Sequence, residues 1–201
     1  MDKKIVDVLV KADVIDPANK EVVSFGIRQV EYFFINVITI LFLGKIFNET
    51  VSSIIFLLAF IPLRTYAGGY HAKTILRCYI ITIVLMVFTL FSFKQSMWSQ
   101  GNSCVILGFA GALLYKLVPA DNYKHRLTLH ERKVFRRKAL LIMCLEIFIS
   151  LIGILMNDKF LYQGIVAAIV MTTVLVCVGN QKNYYVGGRW YGLHDMGYWS
   201  L

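Results

Sequence analysis

Arg64-Thr65-Tyr66-Ala67-Gly68-Gly69-Tyr70-His71-Ala72-Lys73-Thr74-Ile75-Leu76-Arg77-Cys78 is a short polar interruption in an otherwise apolar chain. The runs on either side, 51–63 and 79–93, hold no charged residue. The stretch therefore reads as the connection between two membrane-embedded helices. It gathers the parts of a thiol catalyst. Cys78 is a candidate nucleophile and His71 a candidate general base. Gly68-Gly69 lets a substrate backbone approach where no Cβ stands in the way. Arg64, Lys73 and Arg77 add positive charge, which favours thiolate over thiol. Backbone N–H groups near the two glycines could face a developing oxyanion. His71 precedes Cys78 by seven positions. On a straight helix both would share one face but stand about 10.5 Å apart, beyond hydrogen-bond reach. The pair needs a break or bend, for which the glycines just upstream are suited.

Outward from this stretch, 58% of the 201 residues are hydrophobic and the mean hydropathy is +0.64. An ordinary soluble domain holds roughly 45–50% apolar residues. Long, nearly uncharged runs at 32–46, 51–63, 75–93, 104–118, 139–156 and 160–178 predict an all-α polytopic membrane protein with six transmembrane helices. The second run is short for a crossing that takes about 20 residues, so it is expected to borrow residues beyond Pro62 or to enter tilted or broken. Residues 1–31 are expected to form two short amphipathic helices. Ile5, Val8, Leu9 and Ala12 share one face, and Asp16-Pro17 opens the second piece. The organisation is thus an interfacial segment 1–31, a six-span domain 32–180 carrying 64–78 and a basic loop 120–138, and an aromatic- and glycine-rich tail 181–201. No cleavable signal peptide is legible at the N-terminus.

The net charge of +9 is distributed unevenly. With six spans, one side receives five Lys and Arg from 1–31, three from 64–78, eight from 116–138 and two after 179, while the other receives only Lys45, Lys94 and Lys159. By the positive-inside rule the rich side is cytoplasmic. His71, Cys78 and both termini are then expected in the cytoplasm. Basic residues divided among loops, rather than gathered on one soluble face, argue against nucleic acid as a partner.

Arg64, the run Ala67-Gly68-Gly69-Tyr70-His71-Ala72 and Cys78 resemble the signature of the accessory gene regulator B (AgrB) family, bacterial membrane-embedded cysteine endopeptidases that process quorum-sensing peptide precursors. Gly26 and Gln29 before the first span, and the basic stretch after Pro119, extend the resemblance. It implies Cys78 as nucleophile, His71 as base, and Arg64, Gly68, Gly69 and Gln29 in support. It implies an AgrD-like propeptide as substrate, with removal of its acidic C-terminal tail and closure of a thiolactone or lactone through a Cys78 acyl-enzyme. The bacterial cell membrane is the implied location, and a homodimer the implied assembly. Lys73, Arg77, Arg136, Arg137 and Lys138 are candidates for gripping the acidic tail.

The other polar residues are weighed against this reading. Cys104, Cys144 and Cys177 lie in or at apolar runs and read as small buried hydrophobes. Glu146 falls deep in the fifth run, where a carboxylate must face a partner or a cavity. His125, His130 and His194 have no metal-ligand spacing, and no nucleotide-binding glycine pattern is present, so neither metal nor cofactor is expected. The alternative function is a small transporter in which His71 and Glu146 relay protons.

Overall fold

The computed structural model describes residue 16 and residues 19–69, 74–93, 98–120 and 128–186. Among these the chain is all-helical, with six helices in the order α1 (Lys20–Ile46), α2 (Thr50–Ala67), α3 (Ile75–Phe93), α4 (Gln100–Leu117), α5 (Leu129–Leu155) and α6 (Lys159–Val186). Five of them, all but α4, are long and apolar enough to cross a membrane. α4 has 18 residues, but Gln100, Asn102 and Lys116 make its ends polar.

Several boundaries differ from the sequence expectation, each for a local reason. No helix end occurs at residue 31: α1 runs unbroken from Lys20 to Ile46. Residues 1–15, where the first amphipathic piece was expected, lie outside the described residues. The short second run lengthens through Pro62 and takes in Arg64-Thr65-Tyr66-Ala67. Eighteen residues at 1.5 Å each give about 27 Å, close to a hydrocarbon core of about 30 Å. Of the expected basic loop, 128–138 is the start of α5 and its N-cap rather than loop. Thr128 and Glu131 form a capping box there: the Thr128 hydroxyl accepts the Glu131 N–H, and the Glu131 carboxylate accepts the Thr128 N–H at 2.9 Å.

α6 is the axis of the bundle. Residues 162–169 are all buried, so this helix is enclosed on every side. α2, α4 and α5 surround it; α1 packs on the flank of α2, and α3 packs on α1 and touches α6. Small residues permit the close approaches. A Cβ on Gly164 would stand 2.8 Å from the Ser52 carbonyl oxygen and 3.0 Å from Ile55 Cβ. Backbone cannot swing aside, so Gly164→Ala is expected to cost about 1–3 kcal/mol of stability. Thermal unfolding in detergent checks this, through a lowered Tm.

The outward side chains are apolar. Phe88 and Phe109 are over 70% exposed, at 72% and 73%, and Ile38, Leu58, Val84 and Val105 are similarly bare. Such a surface suits acyl chains and not water.

The turns α1–α2 and α5–α6 repeat one design. Asn48 and Asn157 each adopt φ 58°. The next residue, Glu49 or Asp158, donates its N–H back to Gly44 or Gly153 at 2.7 and 2.9 Å. Asn48 and Asn157 donate to Lys45 and Ile154. This is the Schellman closure, with asparagine at the left-handed position. The glycine one turn earlier lets the next helix fold back closely: Gly44 abuts Ser53, and Gly153 abuts Leu161 and Tyr162.

Candidate functional site

α2 ends where glycine first allows it to. Gly68 adopts φ 70°, ψ −152°, and its N–H closes the helix on the Arg64 carbonyl at 3.3 Å. Gly69 follows with φ 119°. The turn is held by the far side of the chain. Gly68 forms an isolated parallel bridge with Ala120, whose N–H donates to the Ala67 carbonyl at 2.9 Å, just after a cis Val118–Pro119 bond. A Cβ on Gly68 would collide with the Ala120 carbonyl oxygen. A Cβ on Gly69 would stand 2.9 Å from the Leu175 carbonyl oxygen of α6 and 2.6 Å from Arg64 Nη1. The Arg64 side chain thus folds along the turn that its own carbonyl closes.

Cys78 approaches from α3. Thr74 precedes the helix, and its hydroxyl accepts the Arg77 N–H at 3.4 Å. Cys78 is the fourth residue of α3, with its N–H on the Thr74 carbonyl at 3.2 Å. It is half-buried, in the first turn of α3. The Arg64 guanidinium lies close enough for its charge to interact with the Cys78 sulfur. α3 is registered against α1 by Tyr79, whose hydroxyl is 3.0 Å from the Thr39 hydroxyl and whose ring meets Tyr32 edge-on at 6.5 Å. Thr74 lies outside α3, so the helix that carries Cys78 begins at Ile75.

Basic residues rim the same end of the bundle. Lys138 Nζ sits 5.0 Å from the Tyr66 ring centre and the Arg136 guanidinium 5.8 Å from that of Tyr115. Phe135 meets Tyr66 edge-on at 5.9 Å. These contacts dock the first turns of α5 on the ends of α2 and α4. Arg137, between them, is exposed.

The structure therefore brings together Arg64, Gly68, Gly69 and Cys78, and places Lys138 against Tyr66 at the same end of α2. Gln29 and Arg77 are exposed, and among the described residues no side-chain hydrogen bond or ring contact ties either to this turn. A Cβ on Gly26 would meet nothing within 4 Å. His71 and Lys73 lie outside the described residues. The Gly68 N–H, a candidate oxyanion donor, is already committed to Arg64. Sequence reading passed over Ala120, Thr74 and Tyr66. A Thr three residues before an N–H in the first turn was a visible capping signal, but the Gly68–Ala120 pairing spans the chain and had none.

The chain is similar in sequence to known proteins of one family. The profile of the family described as Accessory gene regulator B matches residues 2–178. The chain is 26% identical over 149 residues to AgrB-like protein 2 of Clostridium perfringens (strain 13 / Type A), covering 70% of each chain. It is 23% identical over 174 residues to an AgrB-like protein of Clostridium perfringens (strain SM101 / Type A), covering 81% of each. No solved structure matches.

Proposed function

As the chain belongs to the accessory gene regulator B family, whose role is in quorum-sensing peptide processing, we propose that it is a membrane-embedded cysteine endopeptidase acting on an AgrD-like propeptide. The observation that carries this reading is the convergence of Arg64, the Gly68-Gly69 turn and the first-turn Cys78 at one end of the bundle. The uneven charge count supports a cytoplasmic position for that end.

His71 takes the proton of the Cys78 thiol. The sulfur then attacks the carbonyl carbon at the junction of the ring segment and the acidic tail. The S–C bond forms, the C–N bond breaks, and His71 returns the proton to the leaving amine. The tail departs, and the peptide remains as a thioester on Cys78. A Cys thiol or Ser hydroxyl of the same peptide attacks that carbonyl, closes a thiolactone or lactone, and restores the Cys78 thiol. Arg64 replaces the Gly68 N–H as the group suited to the developing oxyanion, since it is positive and lies along the turn. A recessed site favours ring closure over hydrolysis by excluding water.

The test uses full-length protein in vesicles with Cys104, Cys144 and Cys177 replaced by Ala, leaving Cys78 as the single thiol. Iodoacetamide is expected to stop cleavage as Cys78 becomes alkylated, and EDTA to leave it unchanged. Cleavage that survives complete alkylation contradicts the reading.

Arg137, exposed between two docked neighbours, is available to an acidic tail. Arg137→Glu is expected to raise KM with little change in kcat. The effect should be largest at low ionic strength, because salt screens an exposed charge within a Debye length of about 8–10 Å. Cleavage kinetics across a salt series check this.

A further inference from the structure

Four polar side chains in the middle of the bundle leave their oxygens without a hydrogen-bond partner: Ser103 of α4, Glu146 and Ser150 of α5, and Thr172 of α6. The three hydroxyl residues are fully buried and Glu146 is 5% exposed. Elsewhere in the helices a buried or half-buried hydroxyl bonds back one turn, as Ser53, Thr82, Thr89 and Thr173 do to Glu49, Cys78, Leu85 and Ile169. Ser103, Ser150 and Thr172 decline that bond, although it is the usual resort of a hydroxyl in an apolar helix.

The helix register brings Glu146, Ser150 and Thr172 to neighbouring heights. Gln100 Nε2 donates to the Ile154 carbonyl at 3.0 Å, and Gly111 lies against Ile147, so α4 and α5 run antiparallel. Ser103 and Ser150 then lie level, each about one turn inside the Gln100–Ile154 contact. The Thr173 hydroxyl reaches the Ala110 carbonyl at 3.3 Å. With Gly111 beside Ile147, this sets Thr172 and Glu146 at one height. Glu146 and Ser150 are four residues apart on the buried seam of α5, with Ala139, Met143 and Gly153. Ser103 belongs to the buried seam of α4, but with Thr173 level with Ala110 it stands about 9 Å along the axis from Thr172, outside the reach of an ion held there. Gln163 is unpartnered too, but it lies nine residues from Thr172 and so projects from the opposite face of α6.

The donor set has a definite chemistry. It offers a carboxylate and two hydroxyls, all hard oxygen ligands. Among the described residues no group of three or more His, Cys, Asp or Glu is placed to hold a metal, which is not the environment of a transition metal. Residues 50–63, 100–115 and 160–181 contain no Asp, Glu, Lys or Arg, and Glu146 is the single charge within 139–155. One carboxylate and one monovalent cation make a neutral site. A divalent cation would leave net charge in hydrocarbon, at high cost. We propose that Glu146, Ser150 and Thr172 form a binding site for a small monovalent cation of the hardness and size of Na+, at mid-depth in the bundle and independent of the thiol site.

The test is carbodiimide labelling, because dicyclohexylcarbodiimide attacks a protonated carboxyl in an apolar setting. Full-length protein in vesicles is labelled in NaCl or in choline chloride at equal ionic strength, and Glu146 modification is read by mass spectrometry. A parallel Tm measurement uses the same two salts. Na+ is expected to slow labelling and raise Tm. Ser150→Ala and Thr172→Val should each raise the Na+ concentration needed for protection about tenfold while leaving labelling in choline intact, as expected for loss of one charge-bearing contact. Glu146→Gln should lose the Na+ effect on Tm. Labelling that slows only with rising pH and ignores Na+ means a proton site alone and overturns the proposal. So does a Tm indifferent to Na+ when labelling is absent or Na+-independent.

Discussion

Cys78→Ala is expected to leave a protein that inserts normally and releases the propeptide tail at least about 10³-fold more slowly, the order expected when a covalent nucleophile is removed. Little else should change. Cys78 is half-buried, and its backbone bonds to Thr74 and Thr82 do not involve the sulfur. A small side chain in the first turn of α3 keeps those contacts. The other thiols cannot substitute. Cys104 and Cys144, expected from the sequence to be buried, are instead exposed on the outer faces of α4 and α5, and Cys177 lies partly buried within α6; none of the three is in the turn that holds Arg64 and Cys78. Tail release in vesicles, normalised to inserted protein and followed by mass spectrometry, measures the loss. A rate within a few-fold of the unmodified protein would move the nucleophile elsewhere.

Gly68→Ala is expected to damage both stability and cleavage. With φ 70° and ψ −152°, Gly68 occupies a region open essentially to glycine alone, and forcing another residue there costs of order 1–3 kcal/mol. Its Cβ would also collide with the Ala120 carbonyl oxygen, which is backbone and tied to Ala67 by its own N–H. Together these are expected to cost about 3 kcal/mol or more. The turn also orders Arg64 along Gly69 and fixes where the chain leaves α2 towards α3. A displacement of about 1 Å at such a site can lower the rate about 10²-fold. Gly26→Ala is the control, because its Cβ meets nothing within 4 Å and should change Tm little. Tm and tail release are measured on the same samples. A Gly68→Ala protein as stable and active as the Gly26→Ala control would mean that the Gly68–Ala120 contact does not constrain the turn.

Much of the bundle is legible in the sequence because a bilayer imposes a coarse rule: long apolar runs become helices. That rule does not mark helix ends. Arg64 looked like a boundary because it is charged, yet α2 carries it for another turn until Gly68-Gly69. The basic residues before Ala139 looked like loop for the same reason, although Thr128 and Glu131 carried the signature of a capping box. The paired Asn-acid turns at Asn48-Glu49 and Asn157-Asp158 were also in plain view, but as two residues each they are too short to register as a repeat. At the candidate site, Cys78, Arg64 and the glycines were legible as residue types that thiol chemistry needs. The Ala120 partner of Gly68 was not, since nothing local to alanine announces a pairing fifty residues upstream. Glu146 drew notice as a charge in an apolar run. Its hydroxyl neighbours did not, because serine and threonine in a helix normally satisfy themselves on the preceding turn, and only coordinates reveal the ones that do not.

The thiol mechanism is tested most directly by trapping its intermediate. Full-length protein in vesicles is mixed with a propeptide whose ring-closing Cys or Ser is replaced by Ala, quenched in acid, digested, and read by mass spectrometry. The account predicts a mass increase on the peptide containing Cys78 equal to the propeptide lacking its tail, released by hydroxylamine and absent from Cys78→Ala. Tail release at the normal rate with no acyl group on Cys78 at any time would contradict it.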